Sequence, residues 1–415
     1  MGRISGRKLA AALMVALGAT LVIAIYSLTL DDRNATGRDY IQYWASEQQL
    51  AHRANPYDVG AILRLEQSRG MEDNSPKVTL SPPLVLVFAL PLGYMGAKTG
   101  LVLWLALLLA SSGVSMWILW VLNGHPQSLW HVLLFVFPPL LSCLMAGQLG
   151  AFFLLGFVLF LWLHARWPWL AGAALVCYPL KPHLFLPCMV VLLLWSVSRR
   201  DFRVFGGILI ALAANAGLLL GLDAHAWSQY SEMLHSSRAM DAFLPTLGMA
   251  MRRAADWKAR WIEFVPEAAA CAWAAWYYWS RRDRWQWTRE GLLVVLVSVA
   301  CAPYSLFTDQ VMVFPAILAG TYAAEKNVRA WVLLGLIWAA CMVGVIVPIE
   351  LPSPFYVWTA PAWLLWYLYA TSGEGLAFRE GFHRFTGSQN PDPGDPGSRV
   401  SRRHRGPGDR FLRNS

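Results

Sequence analysis

Apolar stretches at or near the length needed to cross about 30 Å of hydrocarbon recur along most of the chain, separated by short charged or Pro-rich connections. They cover 9–30, 82–97, 99–122, 129–146, 149–164, 169–197, 204–222, 264–280, 290–305, 309–324, 331–349 and 355–372. The pattern predicts an all-α polytopic membrane protein with about a dozen transmembrane spans. Composition agrees: 57% of residues are hydrophobic, only 14% are charged, and the mean hydropathy is +0.42, outside the range of soluble globular domains. The regions 129–164 and 169–197 fit simple crossings least well, and there half-spanning or broken helices are expected. Leu9 to Leu30 reads as an uncleaved first span, because it is longer than a signal core and no small-x-small cleavage site closes it.

Basic residues in short loops set the expected orientation. Arg3, Arg7 and Lys8 precede the first span; Arg199, Arg200 and Arg203, then Arg281, Arg282, Arg284 and Arg289, then Lys326 and Arg329 fall in later connections. Counting each stretch once puts all of these in the cytoplasm, and the loops 31–80 and 223–263 outside. The net charge of +9 is dispersed in this way, so membrane topology explains it and a nucleic-acid partner is not expected. After a transmembrane domain spanning 1–375, residues 376–415 are rich in Pro, Gly and Arg and read as a disordered basic cytoplasmic tail that touches membrane lipids. All six cysteines lie in or at apolar stretches without a CxxC pair, which suits packing better than disulfides or metal ligation.

Ionisable groups inside hydrocarbon are costly unless paired or facing water, so they are functional candidates. Four stretches qualify. In "RDYIQYW", Asp39 stands beside Tyr40, Tyr43 and Trp44 just past the first span. The competing reading there is an interfacial helix with an Asp cap. In "LMAGQLGAFF", Gly147, Gln148 and Gly150 mark either a tight cytoplasmic turn or a re-entrant junction. In "CYPLKPHLFLP", Lys181 and His183 lie among Pro179, Pro182 and Pro187, which break a helix where backbone must line protein or water. A cation there suits an anion, a phosphate above all, although a Lys reaching toward the interface is the alternative. In "CAPYSLFTDQ", Asp309 is either a helix cap or a substrate-positioning group. No Walker-type Gly-rich loop, HExxH, GxSxG, His/Cys metal cluster or cytosolic DxD pair is present, so neither cofactor nor metal is expected.

In order and spacing these stretches resemble the bacterial membrane glycosyltransferases of family 87. That family shows an Asp followed by aromatics, a PYD-like element matched by "NPYD" at 55–58, and a Pro-rich segment matched by "SPPLVLVFALPL" at 81–92. It also shows a Gly-Gln element (Gly147, Gln148), a Lys-Pro element (Lys181, Pro182), a segment before an Arg matched by "PTLGMAMRR" at 245–253, and a Pro-Tyr segment leading to an Asp (Pro303, Tyr304, Asp309). Ser81, His183 and Thr308 depart from the family pattern and bear on which sugar and acceptor are used. The resemblance covers roughly 9–370 and implies a GT-C fold in a bacterial inner membrane. It also implies a polyprenyl-phosphate-linked sugar, typically mannose, as donor, with an envelope glycolipid or glycan as acceptor.

A phosphate leaves as a stable anion, so the second carboxyl that protonates a poor leaving alcohol in glycoside hydrolysis is not required. One base plus one cation then suffices. Asp39 is the expected base, with inversion at the anomeric carbon, and Lys181, helped by Arg252, is the expected phosphate-binding group. Gln148, His183 and Asp309 are expected to bind sugar or phosphate, and Tyr40, Tyr43 and Trp44 to line the site. A transporter or lipid flippase with a midplane charged site is the alternative class, although no second copy of any motif supports an internal repeat. A catalytically idle envelope scaffold is the third.

Overall fold

A computed structural model describes residues 33–236, 244–346 and 353–372, so the expected first span 9–30 and the tail 376–415 lie outside the described residues. Among the described residues the chain is helical, with no strand. Helices α1 (Tyr40–Ala51), α2 (Val59–Ser68) and α3 (Leu84–Ala89) precede α4 (Ala97–Leu122). Then follow α5 (Pro138–Ala146), α6 (Gly150–Leu163), α7 (Pro168–Ala174), α8 (Pro182–Arg199) and α9 (Arg203–Leu222). The remainder comprises α10 (Ala226–Ser236), α11 (Leu247–Ala255), α12 (Val265–Arg281), α13 (Glu290–Cys301), α14 (Phe314–Ala323), α15 (Val328–Ile346) and α16 (Thr359–Ser372). Four of these, α4, α8, α9 and α15, are long and apolar enough by themselves to cross a membrane. On α9 and α15 the exposed residues beyond the first turn include many apolar ones, among them Leu209, Leu218, Val332 and Leu336, as a lipid-facing surface requires.

Contacts between distant segments sort the helix termini into two ends. At one end Tyr40 donates to the Ala97 carbonyl at 3.1 Å and the Thr246 hydroxyl donates to the Pro303 carbonyl at 3.1 Å. At the other, tryptophans meet: Trp117 with Trp162 at 5.7 Å, Trp130 with Trp331 at 4.5 Å, and Trp195 with Trp287 at 6.0 Å. Residues 169–197, expected as one over-long stretch with a break, are two helical segments meeting at Lys181. A 3₁₀ segment Leu175–Leu180 follows α7, and Lys181 leaves helical geometry at φ −141° and ψ 70° before Pro182 opens α8. The far ends then come together, since the Gly207 backbone lies against the Trp169 carbonyl and Gly172 against that of Val204.

Residues 82–97, expected as a crossing, do not form one continuous helix. Pro82, Pro83 and Pro91 remove backbone donors, and the stretch divides into the short α3 and a 3₁₀ segment Leu90–Tyr94. Polar side chains of α1 fix it. Gln48 Nε2 donates to the carbonyls of Leu92, Gly93 and Met95 at 3.3, 3.0 and 2.9 Å, and Trp44 Nε1 donates to that of Met95 at 2.8 Å. The segment 33–97 therefore packs as a unit on α1, at the end where Asp39 lies.

In that unit the Glu66 carboxylate is buried and accepts the Lys77 backbone N–H on both oxygens at 3.2 Å. Burial raises its pKa from 4.5 to about 7, against the opposing pull of Lys77. A carboxyl whose folded pKa is raised binds protons more readily folded than unfolded, so it costs stability as pH climbs through that interval. Glu66→Gln is accordingly expected to match the wild type below about pH 4.5 and to unfold at a higher temperature above about pH 7. Thermal unfolding of both proteins at the two pH values checks this, and equal midpoints at alkaline pH would contradict it.

Candidate active site

Asp39 occupies the N-cap position of α1, yet its side chain makes no capping hydrogen bond. Its carboxylate turns outward from the helix and accepts Gln148 Nε2 at 2.8 Å. The other end of that amide, Oε1, accepts the Tyr43 hydroxyl at 3.0 Å. Tyr43, one turn along α1, thus fixes which way the Gln148 amide points, and the amide fixes Asp39. Tyr43 and Gln148 are buried, while Asp39 is half-buried and keeps solvent access.

The junction between α5 and α6 presents Gln148. Gly147 ends α5 in left-handed geometry at φ +72°, and the Gly147 and Gln148 N–H groups both return to the Cys143 carbonyl, at 2.8 and 3.0 Å. Trp104 Nε1 donates to the Gly147 carbonyl at 2.8 Å, and Arg38 Nη1 donates to the Met145 carbonyl at 2.6 Å, so the residue preceding Asp39 also grips this turn. A Cβ at position 147 would stand 2.6 Å from Tyr40 Cβ. Gly147→Ala is therefore expected to push Gln148 and Asp39 apart and to lower activity about 10²-fold, the order of loss a 1 Å misplacement produces. Activity normalised to membrane-inserted protein checks it; wild-type turnover would show that the turn does not position the site.

The broken segment and the 303–313 segment bring the second charged pair. Lys181 Nζ donates to Asp309 Oδ1 at 2.7 Å and Oδ2 at 2.9 Å, with both side chains buried. Asp309 Oδ2 also accepts the Leu306 N–H at 2.9 Å at the start of a 3₁₀ segment Phe307–Val313. Asp309 thus caps the start of this segment through the Leu306 N–H while the same carboxylate pairs with Lys181. Tyr304 and Phe153 turn their ring faces toward Lys181 at 5.6 and 6.0 Å. Around this pair His183 Nε2, Ser305 Oγ and Thr308 Oγ1 are buried polar atoms without a hydrogen-bond partner among the described residues. Such groups are rare in native interiors, and several beside one ion pair suit a polar ligand.

The two pairs share one environment. The Gly150 backbone abuts the Thr308 carbonyl, which joins the Gln148 junction to the Asp309 segment. Burial first, then the charges of Asp39 and Asp309, hold the Tyr43 phenol well above its ordinary pKa.

Other expected site residues fall elsewhere. Tyr40 and Trp44 are buried, and their polar atoms bond the Ala97 and Met95 carbonyls, so both anchor α1. Arg252, on α11, is paired with Glu263 at 3.1 Å, donates to the Trp257 carbonyl at 2.7 Å, and stacks on the Trp257 ring at 4.4 Å. Ser305 and Arg38 were not singled out from the sequence, and Tyr304 was marked only as part of the Pro-Tyr element. Tyr304 and Ser305 sit in the same "PYSLFTD" run as Asp309, and Arg38 precedes Asp39, so position was their only signal.

Among the described residues no three His, Cys, Asp or Glu side chains group so as to hold a metal ion. No curated protein and no solved structure matches the chain. A family model does: that of glycosyltransferase family 87 matches residues 80–303, more than half of the chain, taking in Gln148, Lys181 and Arg252 and ending before Asp309. The chain belongs to glycosyltransferase family 87 and is a membrane glycosyltransferase.

Proposed function

We propose that this glycosyltransferase moves a hexose, mannose favoured, from a polyprenyl-phosphate-linked donor to an envelope glycolipid or glycan acceptor on the outer face of a bacterial inner membrane. Asp39 takes the proton of the acceptor hydroxyl as that oxygen bonds to the anomeric carbon. The carbon–oxygen bond to phosphate breaks on the opposite side, its electron pair leaves with the polyprenyl phosphate, and configuration inverts. Lys181 meets the departing phosphate, while His183, Ser305 and Thr308 supply hydrogen bonds to phosphate or sugar. With a fixed cation in that position the reaction needs no metal. Arg252 acts from the outer loop, as a second contact to the donor or as an anchor of α11.

The observation that carries this reading is the direction of the Asp39 carboxylate. It leaves its own helix uncapped and meets Gln148 instead, half-exposed, beside a sealed cation. A base that must receive a proton from an arriving hydroxyl needs both orientation and access. Family membership favours a glycosyltransferase over the transporter reading.

The same arrangement supports a topology of about twelve crossings. These are 9–30, α4, Trp130–Ala146, α6, Pro168–Leu180, α8, α9, α12, α13, 307–323, α15 and α16. Relative to the sequence reading, 82–97 leaves the count and 169–197 enters it twice. Both termini and the basic loops then lie in the cytoplasm, and Asp39, Gln148 and Asp309 all lie outside. Mass-spectrometric profiling of lipid-linked glycans in a strain lacking the protein tests the assignment. One glycolipid is expected to stop growing by a hexose, and an unchanged profile would refute it.

A further inference from the structure

At the end opposite Asp39, the chain turns from α8 into α9 through "RRDFR" and forms an open cleft of about 830 Å³. Arg199, Arg200 and Arg203 line its mouth, and Trp169, Phe205 and Leu209 line its flank. The wall is built in. Gly206 lies flat against the Trp169 ring, so α7 and α9 touch through backbone and the indole stands between them, half in contact with solvent. Asp201 binds Arg203 through Nε at 2.9 Å and Nη2 at 2.6 Å, which neutralises one of the three guanidinium groups. Arg199 and Arg200 are exposed and have no acidic partner among the described residues.

The other Arg-rich connection at this end is arranged differently: Arg281 stacks on Tyr277 at 4.1 Å and Arg282 on Trp279 at 4.5 Å. Their guanidinium faces are occupied by the protein itself. A basic loop that only set membrane orientation would require charge, not a cleft with an aromatic wall continuing onto the exposed apolar flank of α9 at Leu209. Two unpaired guanidinium groups above such a flank match an amphiphile with an anionic head and an acyl chain.

We propose that this cleft is a binding site for an anionic phospholipid, its phosphodiester held by Arg199 and Arg200 and its proximal acyl chain lying along Trp169, Phe205 and Leu209. The site is separate from the reaction centre and does not depend on which sugar is transferred. Full-length protein purified in detergent, incubated with dioleoylphosphatidylglycerol or dioleoylphosphatidylcholine and observed by native mass spectrometry, tests it. The wild type is expected to retain the anionic lipid preferentially. The exposed double variant Arg199→Gln/Arg200→Gln is expected to retain it about tenfold less. Lys326→Gln/Arg329→Gln, an equal loss of exposed charge outside the cleft, is expected to change nothing. Equal loss in both variants, or none in either, would overturn the proposal. So would full displacement of the lipid by millimolar inorganic phosphate, which would identify the occupant as a free anion.

Discussion

Asp39→Asn is expected to insert and fold like the wild type and to transfer sugar about 10²–10⁴-fold more slowly, the contribution of a well-placed general base. The substitution keeps size and polarity, and its amide oxygen still accepts Gln148 Nε2, which lies 2.8 Å from the carboxylate. What it removes is a carboxylate able to take a proton while the acceptor oxygen bonds to carbon. Asp39→Ala is a less clean test, because it also frees Gln148 and through it Tyr43. Donor affinity in Asp39→Asn is expected to stay near wild type, since the phosphate is assigned to Lys181. A variant that turned over normally would remove Asp39 from the chemistry.

The second large effect concerns Lys181 and Asp309, and it separates stability from activity. Asp309→Leu leaves a buried ammonium without its carboxylate, and breaking a buried pair in this way costs about 3–5 kcal/mol. Among the described residues, Lys181→Met leaves the buried carboxylate with only the Leu306 N–H at 2.9 Å. The combined variant Lys181→Met/Asp309→Leu replaces both charges by apolar groups and is expected to recover most of the lost stability. It is not expected to recover transfer, because the cation proposed to receive the phosphate is gone. Unfolding midpoints in detergent and transfer rates measured on the same preparations distinguish the two quantities. A stable combined variant with wild-type turnover would make the pair a purely structural device.

Much of the fold was legible because lipid imposes a severe rule: apolar length marks helices and prolines mark breaks. The break at Lys181 followed from Pro179 and Pro182 inside an over-long stretch. The departure of 82–97 from one continuous helix has the same origin. Hydropathy sees an apolar run, whereas its destination is set by Gln48 and Trp44 of α1, residues far away in the chain that capture its carbonyls. Candidate site residues were visible as polar groups in costly places, but their pairing was not. Asp39 meets Gln148 across 109 positions and Lys181 meets Asp309 across 128, separations that no local pattern encodes. Arg252 illustrates the converse, since one Arg of the "MRR" run gave no sign of its partner Glu263, eleven positions on.

The most direct test uses purified full-length protein in lipid vesicles supplied with a polyprenyl-phosphate-hexose and a glycolipid acceptor, with product and released polyprenyl phosphate followed by mass spectrometry. The wild type is expected to form the glycosylated acceptor and polyprenyl phosphate in equal amounts, and the Asp39→Asn variant at the same protein level to form almost none of either. Equal product from both proteins, or no turnover of any polyprenyl-phosphate-hexose by the wild type, would contradict the account.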